Sequence, residues 1–99
     1  RRDLMKKELD GIEGFKTYVP QGAFYIFPDI SYFFGKSFQG STIKNSYDFS
    51  MFLLNEAHVS VVDGAAFGAP ECIRISFAAS DENIIRAIER IKEAVVKLH

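Results

Sequence analysis

The sequence predicts an α+β domain of two layers, a small and mainly antiparallel sheet with helices on one face, in the order α-β-β-α-β-β-α. Three observations carry this prediction. The C-terminal segment repeats Ile84, Ile88, Ile91, Val95 and Leu98 at steps of four and three, the stripe of an amphipathic helix. Short alternating or β-branched runs, "FKTYV", "VSVV" and "CIRISFA", lie between turn signals. The first two strand-like runs are joined by only Pro20-Gln21-Gly22, a connection that favours an antiparallel hairpin.

Each element has its own signal. Residues 1–11 read as a short helix, with Leu4, Met5, Leu9 and Ile12 on one side and Gly11 and Gly14 at its end. Residues 15–19 alternate as a strand, and "AFYIF" (23–27) follows as the next, stopped by Pro28. Residues 29–46 hold no clear element but carry Tyr32, Phe33, Phe34 and Phe38, and a connection of this length is commonly functional. Its aromatic residues either pack onto the domain's own core or contact a partner surface. Asn45 or Ser46 caps a helix over about 47–57, and Val59–Val62 is a short strand. "DGAAFGAP" is a glycine-rich loop before the last strand. Ser80 or Asp81 caps the terminal helix, where Glu82–Arg86 and Glu93–Lys97 form i,i+4 pairs of about 0.2–0.5 kcal/mol each.

Composition bounds the function. The 99 residues suit a single domain with a modest core. A formal net charge of −1 argues against a nucleic-acid or anionic-membrane binder driven by bulk charge. No apolar run approaches a membrane span, and the charged opening "RRDLMKKELD" does not read as a signal peptide. The single cysteine, Cys72, excludes an internal disulfide framework. These features fit a cytoplasmic protein. Ten phenylalanines and an opening that reads as the middle of a helix suggest a piece of a larger protein.

The residue that points furthest is Arg74. Strand side chains alternate between faces. Ile73, Ile75 and Phe77 share the core side of the last strand, leaving Cys72, Arg74, Ser76 and Ala78 on the other. Small neighbours leave room around a guanidinium, whose rigid fork of donors matches a carboxylate bidentately. The plainer reading is an arginine on a half-exposed strand, paired with Glu71 or Asp81, and from pattern alone that reading has the stronger claim.

Neighbouring motifs change the balance. "PQGAFYIFPDIS", "FLLNEAHVSVVDGAAFG" and "IRISFAASDENIIRAIERI", in this order, resemble the C-terminal small domain of class I pyridoxal-phosphate (PLP) aminotransferases, the aspartate aminotransferase group. The resemblance covers nearly the whole chain. It implies that Arg74, in the family's R-I-S-F-A motif, binds the α-carboxylate of an amino-acid or 2-oxo-acid substrate. It implies a PLP cofactor held by a large domain that is absent from residues 1–99, so that this chain alone has no Schiff-base lysine and does not transaminate. It also implies a homodimeric parent enzyme. Asp63-Gly64 stands where the family usually has Pro-Gly, and Asp-Gly also suits a tight turn.

Other candidates are weaker. "DGAAFG" lacks both phosphate-loop patterns and joins two strands; as a tight turn beside Arg74, with Phe67 packed under it, it makes better sense. His58 and His99 have no partners at metal-ligand spacing, and His58 suits a helix C-terminus. Cys72 shares the face of Arg74, where a cation can lower a thiol pKa, but it reads better as a small apolar residue. Phe24 and Tyr25 face opposite sides of their strand, so only one of them can line a substrate cleft, and the sequence does not say which. An alternative of a different class is a stand-alone module that binds a carboxylate ligand through Arg74 without catalysis or cofactor.

Overall fold

The structure, a computed structural model, describes residues 2–19, 25–76 and 81–99. The turn at 20–22, residues 23 and 24, Phe77, Ala78 and the cap at Ser80 therefore lie outside the described residues.

Helix α1 (Arg2–Asp10) leads into strand β1 (Lys16–Tyr18) and then β2 (Tyr25–Asp29). Strands β3 (Ser37–Phe38) and β4 (Ser41–Thr42) form a separate small hairpin. Helix α2 (Ser46–Glu56), β5 (Val62–Asp63), β6 (Ile73–Ser76) and α3 (Asp81–Val95) complete the order. The main sheet runs β1-β2-β6-β5, antiparallel at every pairing. The α+β expectation holds, with the β3–β4 hairpin added.

Alternation sorts the sheet into two faces. Ile26 and Ile73 are fully buried and meet Leu9, Phe49, Leu53, Ile88 and Ile91 in one core. All five residues of the stripe from Ile84 to Leu98 are buried, as are Met5 and Leu9 on the first helix and Ile12 just after it. At about 0.8 kcal/mol per buried CH₂, these aliphatic side chains are the main stabilising term.

Three boundaries differ from the sequence reading, each for a physical reason. Strand β2 runs through Pro28 and does not stop before it. Its pairing with β6 covers Tyr25–Ser76 and Ile26–Ile75 and resumes as a single bridge at Asp29–Cys72, so the residue that cannot donate falls in the gap. Strand β5 is Val62–Asp63, and Val59–Val61 lie outside it. His58 adopts φ 56°, and the Val59 amide donates to the Leu53 carbonyl, so this stretch closes the helix end instead of pairing. The β3–β4 hairpin turns on Gln39 (φ 50°) and Gly40 (φ 83°), the left-handed pair of a two-residue loop, carried by Gln-Gly where Asn-Gly is the usual signal.

The aromatic segment packs onto its own core. Phe33 is buried against Phe15 and Phe49, Phe34 and Phe38 are half-buried on the same cluster, and Tyr32 stays exposed. The chain terminus is fastened here too, with His99 and Ser37 exchanging both backbone hydrogen bonds. On α3, Arg86 reaches Glu82 at 3.0 Å, but Lys97 lies 3.7 Å from Glu56 of α2 and not on Glu93.

Asn45 caps α2, its Oδ1 accepting the Asp48 amide at 2.8 Å. Asp48 answers by accepting the Lys44 amide at 3.0 Å. Replacing Asn45→Ala strands the Asp48 donor and is expected to cost about 1 kcal/mol, read as a lower denaturation midpoint with an unchanged m-value.

Candidate functional site: an arginine on an aromatic sheet face

Strand β6 is interior, with β2 on one side and β5 on the other. Arg74 pairs with Val62 of β5, and the β2 register continued from Ile26–Ile75 sets Phe27 on its other side. Antiparallel partners share a face, so Arg74, Val62, Phe27 and Tyr25 project to the side opposite Ile26 and Ile73. Tyr25 thus shares the arginine's face, while Phe24 lies outside the described residues.

The Arg74 guanidinium carbon lies 4.2 Å from the Tyr25 ring centroid and 4.1 Å from that of Phe67. Both are cation–π distances. Arg74 makes no ion pair and no hydrogen bond with any described residue, so neither Glu71 nor Asp81 takes the partner role that the plainer sequence reading gave them. A guanidinium stacked face-on against a ring keeps the N–H groups at its edge for other partners. The surround is open: Tyr25 is 38% exposed, Val62 40% and Phe67 45%.

The glycine-rich loop explains how Phe67 arrives. Residues Gly64–Phe67 form one 3₁₀ turn. Asp63 caps it, its carboxylate accepting the Ala65 amide at 3.0 Å. The Gly64 amide donates to the Cys72 carbonyl at 2.7 Å, tying the turn to the start of β6. Gly68 closes the turn at φ 77°, a conformation that suits glycine. The Phe67 ring is not tucked under this turn: it stands half-exposed between Arg74 and Phe27, 6.5 Å from the latter's ring. The sequence places this turn beside Arg74; what it missed is that the Phe67 ring rests against the guanidinium and not under the turn. The signal was available in the Asp-Gly pair and the left-handed Gly68 spacing, but not the direction of the ring.

Cys72 is buried, and burial pushes its thiol up to about 11, with the charges of Asp29 and Glu71 adding to the effect. The small-apolar-residue reading is therefore the right one, and no nearby cation lowers this thiol. His58 is exposed at the end of α2. Among the described residues no three His, Cys, Asp or Glu side chains are grouped to hold a metal, and no helix is long and apolar enough to cross a membrane.

Comparison with known proteins agrees with this architecture. The profile of the family "Aminotransferase class I and II" matches residues 1–91. The chain is 46% identical over 99 residues to the bifunctional aspartate aminotransferase and glutamate/aspartate-prephenate aminotransferase of Petunia hybrida, covering 99% of this chain and 21% of that protein. It is 43% identical over 99 residues to the aspartate aminotransferase of Rhizobium meliloti, covering 24% of its length. The crystal structure of the Rhizobium meliloti aspartate aminotransferase superposes with a TM-score of 0.95 at 42% identity, over 99% of this chain and 25% of that one. An aromatic aminotransferase from Pyrococcus horikoshii gives 0.80 at 38% identity, over 96% and 23%. The chain belongs to the class I and II aminotransferase family. It spans about a fifth to a quarter of the length of these relatives.

Family membership implies PLP in the whole enzyme, and the residues present here do not fit the role of holding it. None of Lys6, Lys7, Lys16, Lys36, Lys44, Lys92 and Lys97 is buried. Lys6, Lys92 and Lys97 pair with Asp10, Glu8 and Glu56, while Lys16 and Lys36 lie over Tyr18 and Tyr32. A lysine activated for imine formation is desolvated or set beside another cation.

Two outcomes follow from the site's construction. A Cβ at Gly64 would overlap the carbonyl oxygens of Ala69 and Cys72, so Gly64→Ala is expected to destabilise by roughly 1–3 kcal/mol, seen as a lower denaturation midpoint. With its thiol near 11, Cys72 is about one part in a thousand thiolate at pH 8. Mass-spectrometric alkylation of the Cys72 peptide should be negligible in native protein and complete after denaturation.

Proposed function

We propose that this segment is the C-terminal small domain of a PLP-dependent aminotransferase and that Arg74 is its substrate-carboxylate ligand. The observation that carries this reading is a guanidinium on an interior strand, held against two rings, with its N–H edge spent on no described residue. A substrate carboxylate would accept two parallel hydrogen bonds from that edge. Where water is excluded, charged hydrogen bonds of this kind contribute about 1.5–3 kcal/mol.

The reaction proposed for the whole enzyme moves an amino group from an amino acid to a 2-oxo acid. Aspartate, which the relatives' names specify, is the amino acid we assign as donor. Both partners carry a carboxylate next to the reacting carbon, so one arginine serves each half of the exchange. Its task is to bind and orient: two hydrogen bonds fix the direction of the carboxylate and hence of the bonds on the neighbouring carbon. The large cofactor-binding domain belongs, in this reading, to the rest of the same polypeptide, in an enzyme that works as a homodimer in the cytoplasm. The open aromatic face around Arg74 is the side that this domain covers when substrate is bound, excluding water from the ion pair. The 99-residue chain alone is expected to have no transaminase activity.

In the full-length enzyme, Arg74→Lys keeps the charge and loses the fork. The dissociation constant for a carboxylate substrate should rise roughly 10- to 150-fold, the equivalent of the hydrogen-bond energy above. Steady-state kinetics and inhibition by succinate measure it. An unchanged constant would remove Arg74 from the role.

A further inference from the structure

We infer that Phe67 is a positioning residue for the substrate carboxylate, presented by the 63–68 turn and acting through Arg74 jointly with Tyr25. The inference rests on the reading of Arg74 as the carboxylate ligand and extends it to the residues that make the arginine competent.

An arginine side chain has four rotatable bonds, and an exposed one samples many rotamers. Ordering it when ligand arrives costs affinity. Here the ordering is built in. Tyr25 approaches from β2 at 4.2 Å and Phe67 from the turn at 4.1 Å, so two separate backbone elements hold one guanidinium. Phe67 is itself braced by Phe27 at 6.5 Å. The backbone beneath it is fixed at three points: the Asp63 cap on Ala65, the Gly64 amide on the Cys72 carbonyl, and the Gly68 amide on the carbonyls of Gly64 and Ala65. The Cys72 anchor lies two residues before Arg74, immediately ahead of the strand that carries it. Turn and arginine therefore share one rigid frame.

A ring held this firmly yet 45% exposed contributes little as core. Among the described residues no carboxylate pairs with Arg74, so none of them has to be displaced by an arriving ligand. An acidic partner would fix the side chain equally well but would have to be displaced by the ligand.

The test uses the full-length holoenzyme with L-aspartate as substrate and succinate, a dicarboxylate without an amino group, as competitive inhibitor. Phe67→Leu keeps an apolar side chain and removes the ring quadrupole. It should raise KM for aspartate and Ki for succinate about tenfold while kcat changes less than about threefold, and Phe67→Tyr should stay within about twofold of wild type. In an Arg74→Lys background, Phe67→Leu should shift Ki less than about twofold, because the residue it acts through has lost its fork. Equal effects of Phe67→Leu in the two backgrounds, or no effect on Ki in the wild type, would overturn the inference and leave the Arg74 reading standing. An unchanged Ki in Arg74→Lys alone would overturn both. If Phe67→Leu yields no folded enzyme, Tyr25→Leu removes the other ring without touching the turn, and the same Ki shift and the same loss of shift in the Arg74→Lys background are required of it.

Discussion

One strand sets the terms for everything else in this molecule. Strand β6 is interior to the sheet, so its backbone is engaged on both sides and only its side chains can differ between faces. Ile73 goes inward with no exposure, and Arg74 goes outward. A slip of one residue would put the guanidinium among Leu9, Ile88 and Ile91 and turn the isoleucine to solvent. The register of β6 against β2 and β5 is thus fixed by the large cost of burying an unpaired charge. The positions of Tyr25, Phe27 and Val62 around the arginine follow from that register.

The turn between β5 and β6 is the second consequence. An antiparallel pair that sets Val62 opposite Arg74 leaves residues 64–72 to connect the strands. The connection folds back so closely that the Gly64 amide reaches the Cys72 carbonyl and no side chain fits at position 64. Asp63, where the resembled family usually has proline, supplies through its carboxylate the cap that opens the turn. The local chemistry differs from the family's usual Pro-Gly, and a tight turn is formed all the same.

Much of this is legible in the sequence. The terminal helix, the first helix and the faces of β6 follow from periodicity, because burial on one side enforces a period that residues such as Ile84, Ile88 and Ile91 display directly. What the pattern did not give was pairing between distant residues. Arg74 has Glu71 three residues away and Asp81 seven, and proximity in sequence suggested an ion pair. Its actual partners lie 49 residues upstream, at Tyr25, and seven residues back, at Phe67, brought in by register and by a turn. The β3–β4 hairpin escaped because Gln39 takes a left-handed conformation that non-glycine residues adopt uncommonly. Pro28 misled for the opposite reason: it breaks pairing, but only at a place where β2 and β6 had already let go.

The choice of partner for the arginine separates a structural cation from a binding one. A carboxylate beside Arg74 would stabilise the charge, accept its hydrogen bonds and leave nothing at its edge for a second carboxylate. Aromatic rings act differently. They interact with the flat face of the cation, cover its apolar stem and compete for none of its in-plane donors. The opposite side of the same sheet is a closed aliphatic and aromatic core built from all three described helices. The arginine is therefore backed by the buried core and faces an open aromatic surface. In the role proposed for Arg74, a cation with that backing would lose little conformational freedom when a carboxylate arrives, and more of the hydrogen-bond energy would appear as affinity.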